Sequence, residues 1–226
     1  MADIQPIACM HSDFAGKFGI PRQSGLVDSL RSTIVFEPEF RNPDALRGIT
    51  GYSHLWLIWQ FSQSVGTAWS PTVRPPRLGG NTRMGVFATR SPFRPNHLGL
   101  SCVTFQGIEK TEAYGTVLHV GGADLLDGTP IFDIKPYVPY CDSHPDAIGG
   151  FTQNAGDFLL EVQDPDHLLC VLPEDKREAA LGVLSHDPRP SYQNTAERVY
   201  GMTFAGCNIR FTVADGILTV IGAEKI

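Results

Sequence analysis

The sequence predicts a mainly β protein ending in a small α+β domain, and three observations carry that expectation. The 226-residue chain holds 23 Gly and 17 Pro, which implies many short elements joined by turns rather than a helix bundle. Short runs rich in β-branched and aromatic residues recur between those turns. A single segment, late in the chain, has the start signals and composition of a good helix. With 42% hydrophobic and 19% charged residues, the chain can bury an ordinary globular core.

Taken in order, residues 32–37 (STIVFE) form a β-branched strand candidate. The run HLWLIWQF at 54–61 is apolar almost throughout and predicts a strand covered on both faces. Residues 65–80 make a long loop with Pro71, Pro75, Pro76 and paired glycines; a connection of that length inside a compact domain is usually functional. Residues 84–89 and 98–108 read as strands, 114–120 alternates as another, and Gly121 and Gly122 end it. A short strand at 131–135 follows an Asp127-Gly128 turn.

Composition shifts near Ser143. Residues 142–156 form a turn-rich linker, so residues 1–145 and 146–226 are expected to be separate units. A strand is expected at 158–162. The helix is expected at 173–184, where Pro173 suits the first turn, Glu174 and Asp175 follow it, and Ala179, Leu181, Val183 and Leu184 supply apolar surface. Strands at 199–205, 208–213 and 217–221 complete the chain, with Asp215-Gly216 as a hairpin turn. At about 60 residues this second unit is small to be stable alone.

Several function classes are excluded. The first nine residues lack the basic and apolar regions of a signal peptide, and the longest apolar run falls far short of the about 20 residues a bilayer span needs. Five Cys, odd in number and without a C-x-x-C, point to reduced thiols and a cytoplasmic location. No Rossmann fingerprint, P-loop, H-E-x-x-H or G-x-S-x-G occurs. The seven His are dispersed and no metal site is expected.

The net charge of −6 hides a strong asymmetry. No acid lies between Asp44 and Glu109, where Arg47, Arg74, Arg77, Arg83, Arg90 and Arg94 fall. That segment carries +6, while the remaining 12 basic residues face all 24 acids. Such a local basic face steers anions even on an acidic protein.

Three polar segments interrupt the strands. Residues 19–26 present Arg22 and Gln23 on a loop stiffened by Pro21 and flanked by glycines that let backbone approach a ligand; an ordinary surface turn reads equally well. Residues 80–101 hold Arg83, Arg90, Arg94, Asn96 and His97 between apolar strands; the guanidinium fork suits carboxylates and phosphates. Residues 121–142 set Asp124, Asp127 and Asp133 among apolar residues. A carboxylate so placed is either hydrogen-bonded to backbone or poised for chemistry.

Together, Pro21-Arg22-Gln23, Tyr52-Ser53-His54, the run RMGVFATRSPFRPNHLGLS from Arg83 to Ser101 and DGTPIFDIKPY from Asp127 to Tyr137 resemble the TsaA-like family. The resemblance covers residues 1–145, and DPRPSYQ at 187–193 with RVYG at 198–201 resembles the C-terminal domain of its bacterial members. It implies a small β-barrel that binds S-adenosyl-L-methionine and forms a homodimer. It implies N6-methylation of threonylcarbamoyladenosine at position 37, beside the anticodon of threonine tRNAs, with the C-terminal domain as an RNA-binding helper. Cofactor contacts carried over are Pro21, Arg22, Gln23, His54, Leu55, Arg90, Leu100, Leu126, Asp127, Gly128 and Thr129.

For the chemistry, the N6 nitrogen belongs to a urea whose lone pair is delocalised, so a proton acceptor should help. Asp133 or Asp127 is expected in that role, with Lys135 and Tyr137 assisting. Arg74, Arg77, Arg83, Arg94, Asn96 and His97 are expected to meet the RNA, with splayed anticodon bases stacking on Phe93 or Tyr137. A non-catalytic RNA-binding barrel and a small-molecule methyltransferase remain open alternatives on these residues.

Overall fold

The structure, a computed structural model, describes residues 4–153, 159–189, 195 and 198–226. Six strands form one sheet: β1 (Ala8–His11), β2 (Arg31–Phe36), β3 (His54–Gln60), β6 (Leu98–Thr111), β7 (Gly115–Gly121) and β8 (Pro130–Pro136). They run in the order β1-β2-β7-β6-β3-β8, and β8 pairs back onto β1 through Ala8 opposite Ile131, closing the sheet into a barrel. Closure removes the unpaired edges that an open sheet exposes.

Alternation fills the barrel. Along β3, Leu55, Leu57 and Trp59 point inward, and Ala8, Met10, Ile34, Val103, Leu118, Val120 and Ile131 meet them. Residues His54, Trp56, Ile58 and Gln60 of β3 face out and are half-buried. The expected cover on both faces of this strand is therefore corrected. The outward face is covered only in part, by Tyr137 and Asp142 over Trp56 among others, and the continuous apolar run reflects this half-covered outer patch. Strand β1 went unanticipated because it is four residues long and contains no β-branched residue. Its sign was the alternation of buried Ala8 and Met10.

The long loop between β3 and β6 is shorter of strand than expected. Only β5 (Met84–Gly85) pairs, with β4 (Thr72–Val73), and Val86–Ala88 turns into a 3-10 helix. After a helical turn, α1 (Pro139–Asp142), the chain reaches β9 (Glu161–Gln163), α2 (Glu174–Ser185), β10 (Tyr200–Phe204), β11 (Cys207–Ala214) and β12 (Ile217–Lys225). These four strands form a second sheet in the order β10-β11-β12-β9, with β9 parallel to β12. Phe158 lies outside the described residues. Ala179, Ala180, Val183 and Leu184 of α2 pack into one core with Met202, Phe204, Ile209, Phe211 and Leu218.

That second core takes in residues from far upstream. Phe14, Val27 and Leu30, on the connection between β1 and β2, are buried in it. Met202 lies where a side chain on Gly19 would sit, and a Cβ on Gly182 would stand 2.7 Å from Val27 Cγ1. Small residues at both crossings let the connection enter between helix and sheet.

Leu57 is fully buried in the barrel while Leu100 is half-exposed outside it. Leu57→Ala is expected to cost about 2–5 kcal/mol from lost burial plus a cavity. Leu100→Ala should stay within about 0.5 kcal/mol. Urea midpoints of the two variants check the contrast.

Candidate functional site

A cavity of about 570 Å³ opens at the end of β3, within the roughly 300–1,000 Å³ common for small-molecule sites. Its walls are the β1–β2 connection at Ile20–Gln23, the chain from Ile58 to Ser64, the start of β6 and the turn around Leu126. Trp59 forms its floor. The Trp59 indole lies against Gly99 on the neighbouring strand, where any side chain would overlap it. Phe61 packs edge-on to the indole with ring centroids 4.4 Å apart.

A directed hydrogen-bond chain crosses this floor. Trp59 Nε1 donates to Ser101 Oγ at 2.9 Å, and Ser101 Oγ donates to Asp124 Oδ1 at 2.6 Å. A hydroxyl has one proton to give, so the indole N–H turns the Ser101 hydrogen toward the carboxylate. Burial pushes the Asp124 carboxyl above the ordinary carboxylate range, against the opposing pull of Ser101, the backbone and Arg90. On the opposite lip, Arg90 Nη1 donates to Gln23 Oε1, and Gln23 Nε2 donates to the Arg22 carbonyl. The cavity thus offers an aromatic floor, a guanidinium and a buried carboxylate.

A wider groove of about 1480 Å³ adjoins it and shares Arg22, Gln23, Arg90 and Pro92. Arg74, Arg83, Phe87 and Phe93 line its far side, and Phe87 is 77% exposed. Its described lining holds four arginines and no carboxylate. Three arginines of the acid-free run, Arg74, Arg83 and Arg90, therefore meet Arg22 on one surface next to the cavity.

Of the residues expected to hold a cofactor, Pro21, Arg22, Gln23, Arg90, Leu100, Leu126 and Thr129 line the cavity. Four others do not. Leu55 is fully buried inside the barrel. His54 faces outward, with Nδ1 2.9 Å from Ser53 Oγ and its ring near Tyr137. Asp127 turns away, accepting the Ser12 N–H at 3.0 Å and facing His11 at 3.6 Å. Gly128, at φ 73°, gives the turn its left-handed residue and donates its N–H to Met10.

Of the expected catalytic group, Asp133, Lys135 and Tyr137 lie on the barrel's outer face, apart from Asp127. Asp133 pairs with Lys135 at 2.8 Å, and Tyr137 packs on His54 and Trp56. Asp133 stands opposite Ile58, a residue of the cavity wall. On the same face Asp142 accepts from Val138 N–H at 2.8 Å and Trp56 Nε1 at 3.1 Å, which holds its carboxyl below the usual range.

The residues expected at RNA divide similarly. Arg74 and Arg83 line the groove, and Asn96 is exposed on the loop. Arg94 faces inward instead, its guanidinium donating to the carbonyls of Ser91, Val86 and Thr89. His97 is buried at φ 50° with Nδ1 2.7 Å from the Pro92 carbonyl. Both shape the loop, because its carbonyls that lie outside the short β4–β5 pair need side-chain donors. The Arg77 side chain and residues 190–193 lie outside the described residues. Trp59 and Ser101 were not anticipated, since only the pairing of β3 with β6 reveals them as one floor.

Two family models match the chain: the tRNA-methyltransferase O N-terminal domain over residues 9–143 and the TrmO C-terminal domain over residues 172–226. A tRNA (adenine(37)-N6)-methyltransferase of Escherichia coli is 39% identical over 97% of each chain. A putative S-adenosylmethionine-dependent methyltransferase of Pseudomonas aeruginosa is 40% identical, covering 88% of this chain and 87% of the relative. The crystal structure of TrmO from Pseudomonas aeruginosa superposes with a TM-score of 0.79 at 31% identity, covering 99% of both chains.

The raised carboxyl of Asp124 makes a pH prediction. Its folded value lies above its unfolded value, so its contribution to stability is complete below the ordinary carboxylate range and falls as pH rises through the raised value. The stability of the wild type relative to Asp124→Asn should therefore decline with rising pH over that window. Melting temperatures from pH 3 to 8 check it, and a rising difference contradicts the burial argument.

Proposed function

Because the chain belongs to the tRNA-methyltransferase O family, we propose that it transfers a methyl group from S-adenosyl-L-methionine to N6 of the adenine at position 37 of tRNA. The observation that carries this reading is the adjacency of an aromatic-floored cavity and an arginine-lined, acid-free groove that share Arg22, Gln23 and Arg90. A small cofactor and a polyanion would meet along that shared edge.

The cavity's donor set fits this cofactor. Trp59 and Phe61 offer flat apolar surface for its adenine. Arg90 and Gln23 offer donors for its carboxylate. The buried Asp124 carboxylate faces a ligand that carries positive charge, and a cation arriving there lowers the cost of ionising it. When bound, the cofactor supplies a methyl group already activated on a sulfonium, so the protein's main task is to position the two reactants. The substrate reading goes further: the acceptor is threonylcarbamoyladenosine beside the anticodon of threonine tRNAs. Arg74 and Arg83 meet the anticodon-loop backbone, and exposed Phe87 and Phe93 give unstacked bases a surface.

Asp133 is the proton acceptor for the urea N6–H in this reading, with Lys135 and Tyr137 orienting it. These groups lie outside the cavity within one chain. A homodimer that covers the outer face around half-exposed Leu100 and highly exposed Tyr140 would bring them under cover. The C-terminal domain aids RNA binding, and the reaction takes place in the cytoplasm.

Methyl transfer from labelled cofactor to tRNA with and without the threonylcarbamoyl group tests the reading. Transfer to the modified tRNA alone is expected; transfer to neither, with the cofactor bound, overturns the substrate. Asp133→Asn should bind cofactor normally and transfer at least about 100-fold more slowly. Full transfer by that variant removes the base role. Arg74→Ala combined with Arg83→Ala should weaken tRNA binding and flatten its salt dependence by about two phosphate contacts, read from binding titrations at several salt concentrations.

A further inference from the structure

The C-terminal domain touches the cavity wall at places that RNA binding does not explain. Asp13, just after β1, makes an ion pair with Lys176 of α2 at 2.7 Å, and the two side chains are only 15% and 22% exposed. The Asp13 carbonyl accepts the Ala205 N–H from the β10–β11 turn at 2.9 Å. Next in the chain, the Phe14 ring is buried in the C-terminal core, 5.3 Å from Phe204. The Phe14 carbonyl accepts the Asp127 N–H at 2.9 Å. Ser12 completes the grip, its N–H donating to Asp127 Oδ1 and its Oγ to the Leu125 carbonyl at 2.8 Å. Residues 12–14 therefore hold the 124–129 turn, which forms one wall of the cavity, while the C-terminal domain holds residues 12–14.

The opposite wall has its own tie. Phe18, Ile20 and Leu26 flank Pro21-Arg22-Gln23 and pack on the same C-terminal core, and Gly19 lies against Met202. Arg22 Nη2 donates to the Arg189 carbonyl at 3.4 Å. Arg189 is itself buried and forked onto Asp187 at 2.8 and 3.0 Å. Both walls of the cofactor cavity are thus anchored to α2, β10 and the 187–189 segment rather than to the barrel alone.

We propose that the C-terminal domain sets the shape of the cofactor cavity, and that Lys176 is a positioning residue that acts on cofactor affinity through Asp13. This rests on the reading of the cavity as the S-adenosyl-L-methionine site. It assigns to the C-terminal domain a role separate from RNA binding. Lys176 does not line the cavity, so any effect on it must travel through residues 12–14. A coupling of ordinary size changes affinity by about 5- to 150-fold.

The test compares wild type, Lys176→Met and Lys176→Arg in the full chain, with Val213→Ala as a C-terminal core control of similar stability loss. The first readout needs no cofactor: amide hydrogen exchange of residues 17–26 and 124–129 at a temperature where all four proteins are folded. Lys176→Met should speed exchange in both segments, Lys176→Arg should restore protection, and Val213→Ala, a cavity in the shared core, should loosen them less than Lys176→Met. The second readout is calorimetric affinity for S-adenosyl-L-methionine without RNA, expected to weaken about tenfold in Lys176→Met alone. Native exchange in both segments of Lys176→Met overturns the proposal, and equal loosening in Val213→Ala overturns the part assigned to Lys176. Failure of wild type to bind the cofactor overturns the function proposed for the cavity, while the exchange result still decides whether the C-terminal domain shapes it.

Discussion

Residues 12–30 have to serve both halves of the molecule with one piece of chain, packing in the C-terminal core and hydrogen-bonding to the barrel. They leave β1 of the barrel, bury Phe14, Val27 and Leu30 among the side chains of α2 and the second sheet, and return as β2. Backbone in such a position must find partners on both sides, and it does, with Ala205 on one side and Asp127 on the other. The Pro21–Gln23 loop is the middle of this crossing. Its rigidity is therefore borrowed from packing on the C-terminal core and from hydrogen bonds to the barrel, which a surface loop does not have. A conformation fixed before a ligand arrives lowers the ordering cost of binding.

Charge is segregated with equal economy. The protein is acidic overall, yet the groove beside the cavity is lined by arginines without a described carboxylate. The repulsion that a polyanion meets over the rest of the surface turns such a ligand toward one approach. Within the cavity Lys17, Arg22, Arg90 and Arg94 meet one buried carboxylate, Asp124, bound to Ser101. A groove without a described carboxylate beside a cavity that holds one suits an anionic acceptor next to a donor that carries both a carboxylate and a positive charge. The shared Arg90 and Gln23 separate them.

Much of this was legible from residue order. Strands β2, β3, β6, β7 and β8, helix α2 and the last three strands lie close to where β-branched runs, turn pairs and the Pro173 start place them. Pro21-Arg22-Gln23, Arg90, Leu126 and Thr129, read from the sequence as cofactor contacts, line the cavity. What escaped depends on contacts between distant segments. Trp59 and Ser101 are 42 positions apart and become neighbours only through the pairing of β3 with β6. Asp127 looked like a chemical group because it is set among apolar residues, but its carboxylate accepts the Ser12 amide beside the turn it starts. Arg94 and His97 looked like ligands for RNA, yet a loop with so little regular structure needs side-chain donors for its own carbonyls. The entry of residues 14–30 into the second core leaves a trace only in Gly19 and Gly182, whose partners are far away in sequence.

The central claim is that the cofactor rests on Trp59 in the cavity between the 19–23 loop and the 124–129 turn. The indole N–H signals of Trp56, Trp59 and Trp69 in a nitrogen-labelled protein report on three separate places. Titration with S-adenosyl-L-methionine should shift the Trp59 signal, assigned through its loss in Trp59→Phe, and leave that of Trp69 in place. A saturating titration that moves the Trp69 signal while Trp59 stays fixed would contradict the account.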